Sequence, residues 1–323
     1  MKIVRLLLLL LASQNLLAQY TDIINSNRPS ESMSAFAVGR TVIQVESGLN
    51  YAKENHESLK YDASGVIVDF AARYGFYKEM LETILEVSYQ SDSYNFDNTT
   101  TTRNGVKATT IGLKYLVFDP FKFQEENINI YSWKANHKFS FNQLIPIVSV
   151  YGGANLNFTA NRFVFGKEKL DIISPKIMAI TQNIFGKQYV FITNTFFDKI
   201  GTNGQNIGYL LTLTKGFNEK WSAFVENKGI FGKTNDTYLS AGGAYLIHSN
   251  LQVDASVSKN FKDTPSFLYV GLGVSWRSDT NYKDFLVATP EKAKEIKEKK
   301  NRKKKGNDKR MLDKLPKPTK EGE

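Results

Sequence analysis

The chain has 323 residues, of which 41% are hydrophobic and 13% aromatic, with a formal net charge of +10 and no cysteine. The lack of thiols excludes a disulfide framework, a thiolate-ligated metal and a lipid anchor on cysteine. The length suits one large domain or two ordinary ones, with enough apolar content to bury a core.

Lys2 and Arg5 precede the apolar run Leu6 to Ala12, and Ala18 offers a small residue ahead of Gln19. This is the layout of a secretory signal peptide, expected over residues 1–18. The run falls short of the roughly 20 residues a spanning helix needs. Residues 19–40 are expected to form an N-terminal periplasmic segment. A short plug, entering the following domain from below, is the alternative for Gln19 to Phe36.

From Val42 onward the chain is a series of segments of roughly ten residues with period-two alternation, the length of a tilted membrane strand. In Val42 to Tyr51, Ile43, Val45, Leu49 and Tyr51 share one face, and Gln44, Glu46 and Asn50 share the other. Successive side chains of a strand point to opposite sides, so the pattern gives an apolar outside and a polar inside. It recurs around Glu82 and Glu86, around Lys114, around Glu226 and Lys228, around Asp254, and in Leu268 to Trp276. Six further runs alternate less regularly: Gly65 to Gly75 (with Asp69 and Arg73), Leu144 to Leu156, Ser174 to Phe185, Gln188 to Phe197, Ile207 to Phe217 and Thr237 to Leu246. Together they predict twelve strands, the even number expected of a bacterial single-chain barrel.

The connections alternate as well. Phe76 to Met80, Gly186 and Lys187, Asn218 to Lys220, and Ile247 to Asn250 are short. Ala52 to Asp62, Ser91 to Val106, Asn157 to Ile173, Asp198 to Asn206 and Ile230 to Asp236 are longer and polar, and Asn98 to Thr102 reads as a solvated loop tip. Short periplasmic turns alternating with long outer loops mark an outer-membrane barrel. Phe118 to Asn142 breaks the rule with a long insert on the periplasmic side. Tyr74, Phe76, Tyr77, Phe217, Trp221, Tyr269 and Trp276 are expected in interfacial girdles. A soluble sandwich also alternates. Strand length, loop alternation and charged inner faces favour an all-β, transmembrane, antiparallel up-and-down β-barrel of about 12 strands over residues 41–277.

The basicity is mostly a property of the end of the chain. Residues 278–323 carry 15 Lys and Arg against 9 Asp and Glu, including Lys299, Lys300, Arg302, Lys303, Lys304 and Lys305. Like charges in a block repel and stay solvated, so a disordered periplasmic tail is expected. Its alternative role is a tether to an anionic envelope polymer or lipid. Nucleic acid is not an expected partner.

The histidines, His56, His137 and His248, fall in predicted loops, a turn and the insert, with no serine–histidine pair in a plausible register. No metal-ligand cluster or phosphate loop is present in the sequence, so neither an enzyme nor a cofactor is expected. The inner wall is left as the candidate site: Glu46, Asp69, Arg73, Glu82, Glu86, Lys114, Glu226, Lys228 and Asp254. Charges on the lipid face are destabilising, which directs these inward. There they either select solutes along a path or pair with one another across a filled interior.

Several stretches resemble a family of outer-membrane transporters labelled MetA-pathway of phenol degradation. Asn27-Arg28-Pro29-Ser30-Glu31-Ser32, then Ala35 to Arg40 and Val42-Ile43-Gln44-Val45-Glu46-Ser47-Gly48, is similar to the family's opening, where Arg-Pro and Glu-Ser precede a Gln-x-Glu-x-Gly strand. Ile130 to His137, Leu144-Ile145-Pro146, Gly153-Ala154-Asn155 and Ser174-Pro175-Lys176 add to the likeness, which runs to Arg277. Ala37-Val38 stands where the family usually has Pro-Lys, and the basic tail falls outside. The resemblance implies an outer-membrane barrel that transports small hydrophobic or aromatic compounds, without an agreed substrate or defined functional residues.

The expected function is therefore passive passage of small solutes through a charged polar lumen in the outer membrane. The alternative is a structural or envelope-tethering barrel that acts through its tail. Expected partners are outer-membrane lipid, a small-molecule solute and the barrel-insertion machinery, for which Trp276 near the end of the last strand resembles the recognised signal.

Overall fold

A computed structural model of the chain describes residues 24–77, 80–123, 141–157, 163, 171–186, 188–233 and 235–278. The expected signal peptide, and the tail beyond Ser278, lie outside the described residues. The described chain forms twelve strands: β1 (Ile43–His56), β2 (Tyr61–Tyr77), β3 (Leu81–Phe96), β4 (Thr99–Phe118), β5 (Ile147–Leu156), β6 (Ile173–Phe185), β7 (Tyr189–Asp198), β8 (Asn206–Gly216), β9 (Trp221–Phe231), β10 (Asp236–His248), β11 (Leu251–Asn260) and β12 (Ser266–Ser278). Each pairs antiparallel with its sequence neighbours, and β1 closes on β12 with Ile43 opposite Ser278 and Asn55 opposite Ser266. A closed sheet has no edge, the condition under which strands can satisfy their backbone groups in lipid.

The two faces divide as the alternation predicts. Leu49, Val68, Ile111, Leu113, Ile177, Ile207, Val270 and Leu272 are apolar and exposed, while Gln44, Glu46, Arg73, Lys114 and Ser275 are buried. An exposed apolar wall on a closed barrel is stable against hydrocarbon, not water. Tyr74, Phe76, Tyr77, Phe217, Trp221 and Trp276 are exposed near the end that carries the short turns. Tyr269 departs from this girdle: it shares the parity of Gly271 and Ser275 and lines an internal cavity.

Two predicted outer loops are strand instead. β1 runs on to His56, β2 starts at Tyr61, and β3 and β4 stay paired until Phe96 faces Thr99. Asp97 and Asn98 make the turn with φ of 48° and 59°. Both central residues therefore take the left-handed conformation of a two-residue hairpin turn, which Asn and Asp tolerate better than other side chains. The run Thr99 to Thr102 is paired strand, as its β-branched side chains favour. Of the insert Phe118 to Asn142, short 3-10 turns are described at Pro120–Phe123 and Phe141–Leu144; residues 124–140 lie outside the described residues.

Candidate functional site

The described part of the N-terminal segment, from Ile24 to Thr41, lies inside the barrel. It starts beside the turn after β10, where the Ile24 N–H donates to Ser249 O at 2.8 Å. It rises to a tip at Glu31 and returns to meet β2, where the Thr41 N–H donates to Gly75 O at 2.7 Å. Between these two ends, among the described residues, the segment pairs with no strand, so inward side chains take up its polar backbone.

Those side chains come from strands all round the wall. Gln44 on β1 and Arg73 on β2 donate to Asn25 O at 3.0 and 2.8 Å. Lys114 on β4 donates to Ser34 O and Phe36 O at 2.7 and 2.8 Å. Ser149 on β5 donates to Ala35 O, and Gln182 on β6 accepts from the Ala35 N–H. Asn194 on β7 donates to Met33 O, and Gln252 on β11 donates to Arg28 O. The Glu226 carboxylate on β9 accepts from the N–H groups of Glu31 and Ser32 at 3.2 and 3.1 Å, and from the Thr212 hydroxyl at 2.7 Å.

Four of the predicted charges form one buried chain. Arg73 lies 3.4 Å from Glu46 and 3.0 Å from Glu82, and Lys114 lies 2.7 Å from Glu82. Arg73, Glu82 and Lys114 are 1%, 0% and 0% exposed. Glu82 also accepts the Val38 N–H at 2.6 Å. Glu46 accepts from the Gln44 side chain and from the N–H groups of Asn27 and Arg28. The remaining charges are separate. Asp254 pairs with Arg28 at 3.2 Å. Lys228 pairs with Glu31 at 2.5 Å, and that ammonium holds the Glu31 carboxyl below the usual carboxylate range. Asp69 accepts from the side chains of Asn50 and Ser88. Glu86 faces the cavity with no hydrogen bond or ion pair among the described residues.

Arg28 reaches its place because two glycines leave room. Gly48 and Gly273 are cross-strand partners on β1 and β12, and a Cβ at either would overlap the Arg28 guanidinium. Gly48→Ala is therefore expected to unseat Arg28 at about 1–3 kcal/mol, the usual cost of overpacking. Amide hydrogen exchange at Asn27 to Ser32 should quicken while exchange in the strands holds; unaltered exchange in the segment would show that the arginine has another seat.

Neutral residues missed as site candidates do much of the holding: Gln182, Asn194, Ser149 and Thr212. Their only signal in the sequence is inward parity. A second unread feature is an apolar sector of the inner wall. Ile84, Leu116, Ile147, Tyr151, Met178, Ile180, Phe196 and Leu210 are buried and pack with Met33, Ala35 and Phe36 of the segment. The lumen therefore has a largely apolar sector on β3 to β8, interrupted by Lys114 and Lys176, and a more polar one elsewhere.

Above the tip lies a cavity of about 610 Å³. Arg28 and Glu31 form its floor. Met178, Phe196, Leu210 and Ile230 line one side, and Asp69, Glu86, Lys107, Lys176, Lys228, Tyr238 and Tyr269 are also in its wall. Among the described residues no group of three His, Asp or Glu is placed to hold a metal ion.

A closed twelve-stranded sheet, apolar outside and lined by charged and polar groups within, defines an outer-membrane β-barrel. The chain belongs to the family described as "Putative MetA-pathway of phenol degradation", which matches residues 26–278. The COG4313 outer membrane channel from Pseudomonas putida F1 shares the fold with a TM-score of 0.53 at 9% identity, over 77% of this chain and 99% of that one. The CymD monoaromatic hydrocarbon channel gives 0.42 at 12% identity, over 74% and 88% of the two chains. The KdgM porin gives 0.40 at 10%, over 71% and 98%. No curated protein matches the sequence.

Proposed function

We propose that the protein is a passive outer-membrane channel for small solutes with an apolar or aromatic body, and that the N-terminal segment sets its aperture. The observation that carries this reading is the two-sided cavity above the plug. Its apolar residues, Met178, Phe196, Leu210 and Ile230, offer a solute's hydrocarbon surface a place out of water, while the polar side keeps the vestibule wet. Family membership and the channel fold support the same reading. The inward charges act mainly through the segment: Glu46, Arg73, Glu82 and Lys114 seat it, and Asp69, Glu86 and Lys228 meet the solute. The reading is one of passage, not catalysis. His56, for example, accepts the Leu59 N–H at an outer turn, away from the cavity.

The test is current through planar bilayers containing protein purified from outer membranes. Discrete conductance steps are expected, with dwell times that lengthen in a variant lacking residues 25–39. Silence from both forms, once shown to be folded and inserted, would end the channel reading and leave the tethering role of the basic tail as the better one.

A further inference from the structure

Among residues 24–41, Glu31 is the one whose side chain is open to the cavity, 56% exposed although bonded to Lys228. Elsewhere the segment is held by buried partners. At the tip the Glu226 carboxylate holds the backbone, and the Glu31 side chain is held by one ammonium group at the edge of the cavity.

Two more ammonium groups line the same cavity. Neither Lys107 nor Lys176 makes an ion pair within 4 Å among the described residues, although Asp69 lies within electrostatic reach of Lys107 and Glu86 within reach of Lys176. Each of the three lysines lies against a ring: Lys228 over Tyr238 at 5.6 Å, Lys107 over Tyr269 at 6.0 Å and Lys176 over Phe196 at 5.9 Å. Most acids around them are already satisfied. Asp69 accepts from Asn50 and Ser88, Asp198 accepts from the Asn155 side chain and the Lys199 N–H, and Glu226 holds the tip's own N–H groups. Glu86 alone has no donor. The cavity thus places three ammonium groups, two of them outside any close ion pair, next to aromatic rings and to the apolar side formed by Met178, Leu210 and Ile230.

We propose that Glu31 is a tethered occupant of a carboxylate site formed by Lys228, Lys107 and Lys176, and that a small carboxylate with an aromatic or apolar body takes this site by displacing it. This rests on the reading of the protein as a solute channel. Replacing one carboxylate by another on Lys228 leaves that cation's solvation nearly unchanged. The incoming acid gains close contact with two ammonium groups that have no ion pair within 4 Å among the described residues, and its ring gains the apolar side. Losing the Glu31 contact leaves the tip on its two bonds to Glu226 alone, so solute binding and loosening of the plug are linked. A neutral aromatic has no group to exchange with Glu31, and an aromatic cation would meet the three lysines that surround the Glu31 carboxylate.

The probes are benzoate, benzyl alcohol and benzylammonium, measured by equilibrium binding to the detergent-solubilised protein and by bilayer current. Benzoate is expected to bind saturably, and the other two not. Glu31→Gln should tighten benzoate binding about tenfold, the scale of one charge-assisted hydrogen bond. Lys107→Gln with Lys176→Gln should weaken it by a similar factor, and the two arginine replacements should restore it. Absence of benzoate binding, indifference to Glu31→Gln, or a preference for benzylammonium would each overturn the site. Saturable benzoate binding without current would uphold the site and remove the channel reading, whereas current with no carboxylate preference would do the reverse.

Discussion

Joining Ser26→Cys to Ser275→Cys is expected to close the channel until the bond is reduced. The two hydroxyl oxygens are 2.7 Å apart, and the chain has no other cysteine to compete. A disulfide there would tie the rising limb of the plug to β12, while the returning limb is already tied to β1 by the chain itself. Seated and released forms of the segment then cannot interchange, whatever the solute contributes. If passage needs the released form, oxidised protein should carry current on the order of tenfold lower than the same protein after reduction, since a covalent tether shifts that equilibrium almost wholly to one side. Equal currents before and after reduction would mean that solute passes beside a segment that never leaves.

Glu82→Ala should destabilise the folded barrel by about 3–5 kcal/mol, the cost of stranding a buried charge by removing its partner. Arg73 and Lys114, both buried, lie on either side of this carboxylate, and without it two cations face each other where water does not reach. Adding Lys114→Met should recover much of the loss, because Arg73 retains Glu46. Glu86→Ala, two inward positions further along β3, breaks no bond and should stay within about 0.5 kcal/mol. Urea unfolding in detergent micelles, followed by the mobility shift between folded and unfolded bands, separates the two. Equal effects would show that burial, not pairing, governs these acids.

The contrast between Glu82 and Glu86 marks where sequence reading ends. Both stand on the polar side of one alternating strand and look equivalent there. Their difference comes from pairing across the sheet, which sets Gly75 of β2 opposite Glu82 and so brings Arg73 alongside it, and from Val38 arriving from a segment with no strand pattern at all.

The strands, their number and the closed antiparallel order were legible because lipid imposes a local rule: every second side chain must be apolar. That rule acts residue by residue and leaves its mark in the sequence. The lumen obeys no such rule. Strands β5 to β8 alternate poorly because Ile147, Met178, Ile180, Phe196 and Leu210 point inward yet are apolar, as Met33 and Ala35 of the plug require. The extended β1–β2 and β3–β4 hairpins were hidden for a related reason, since beyond the membrane polar residues on both faces are tolerated and read as loop. What the sequence determined alone is the wall. The contents of the barrel, and the cavity above them, were decided by tertiary contacts between distant residues, whose partners differ at each inward position.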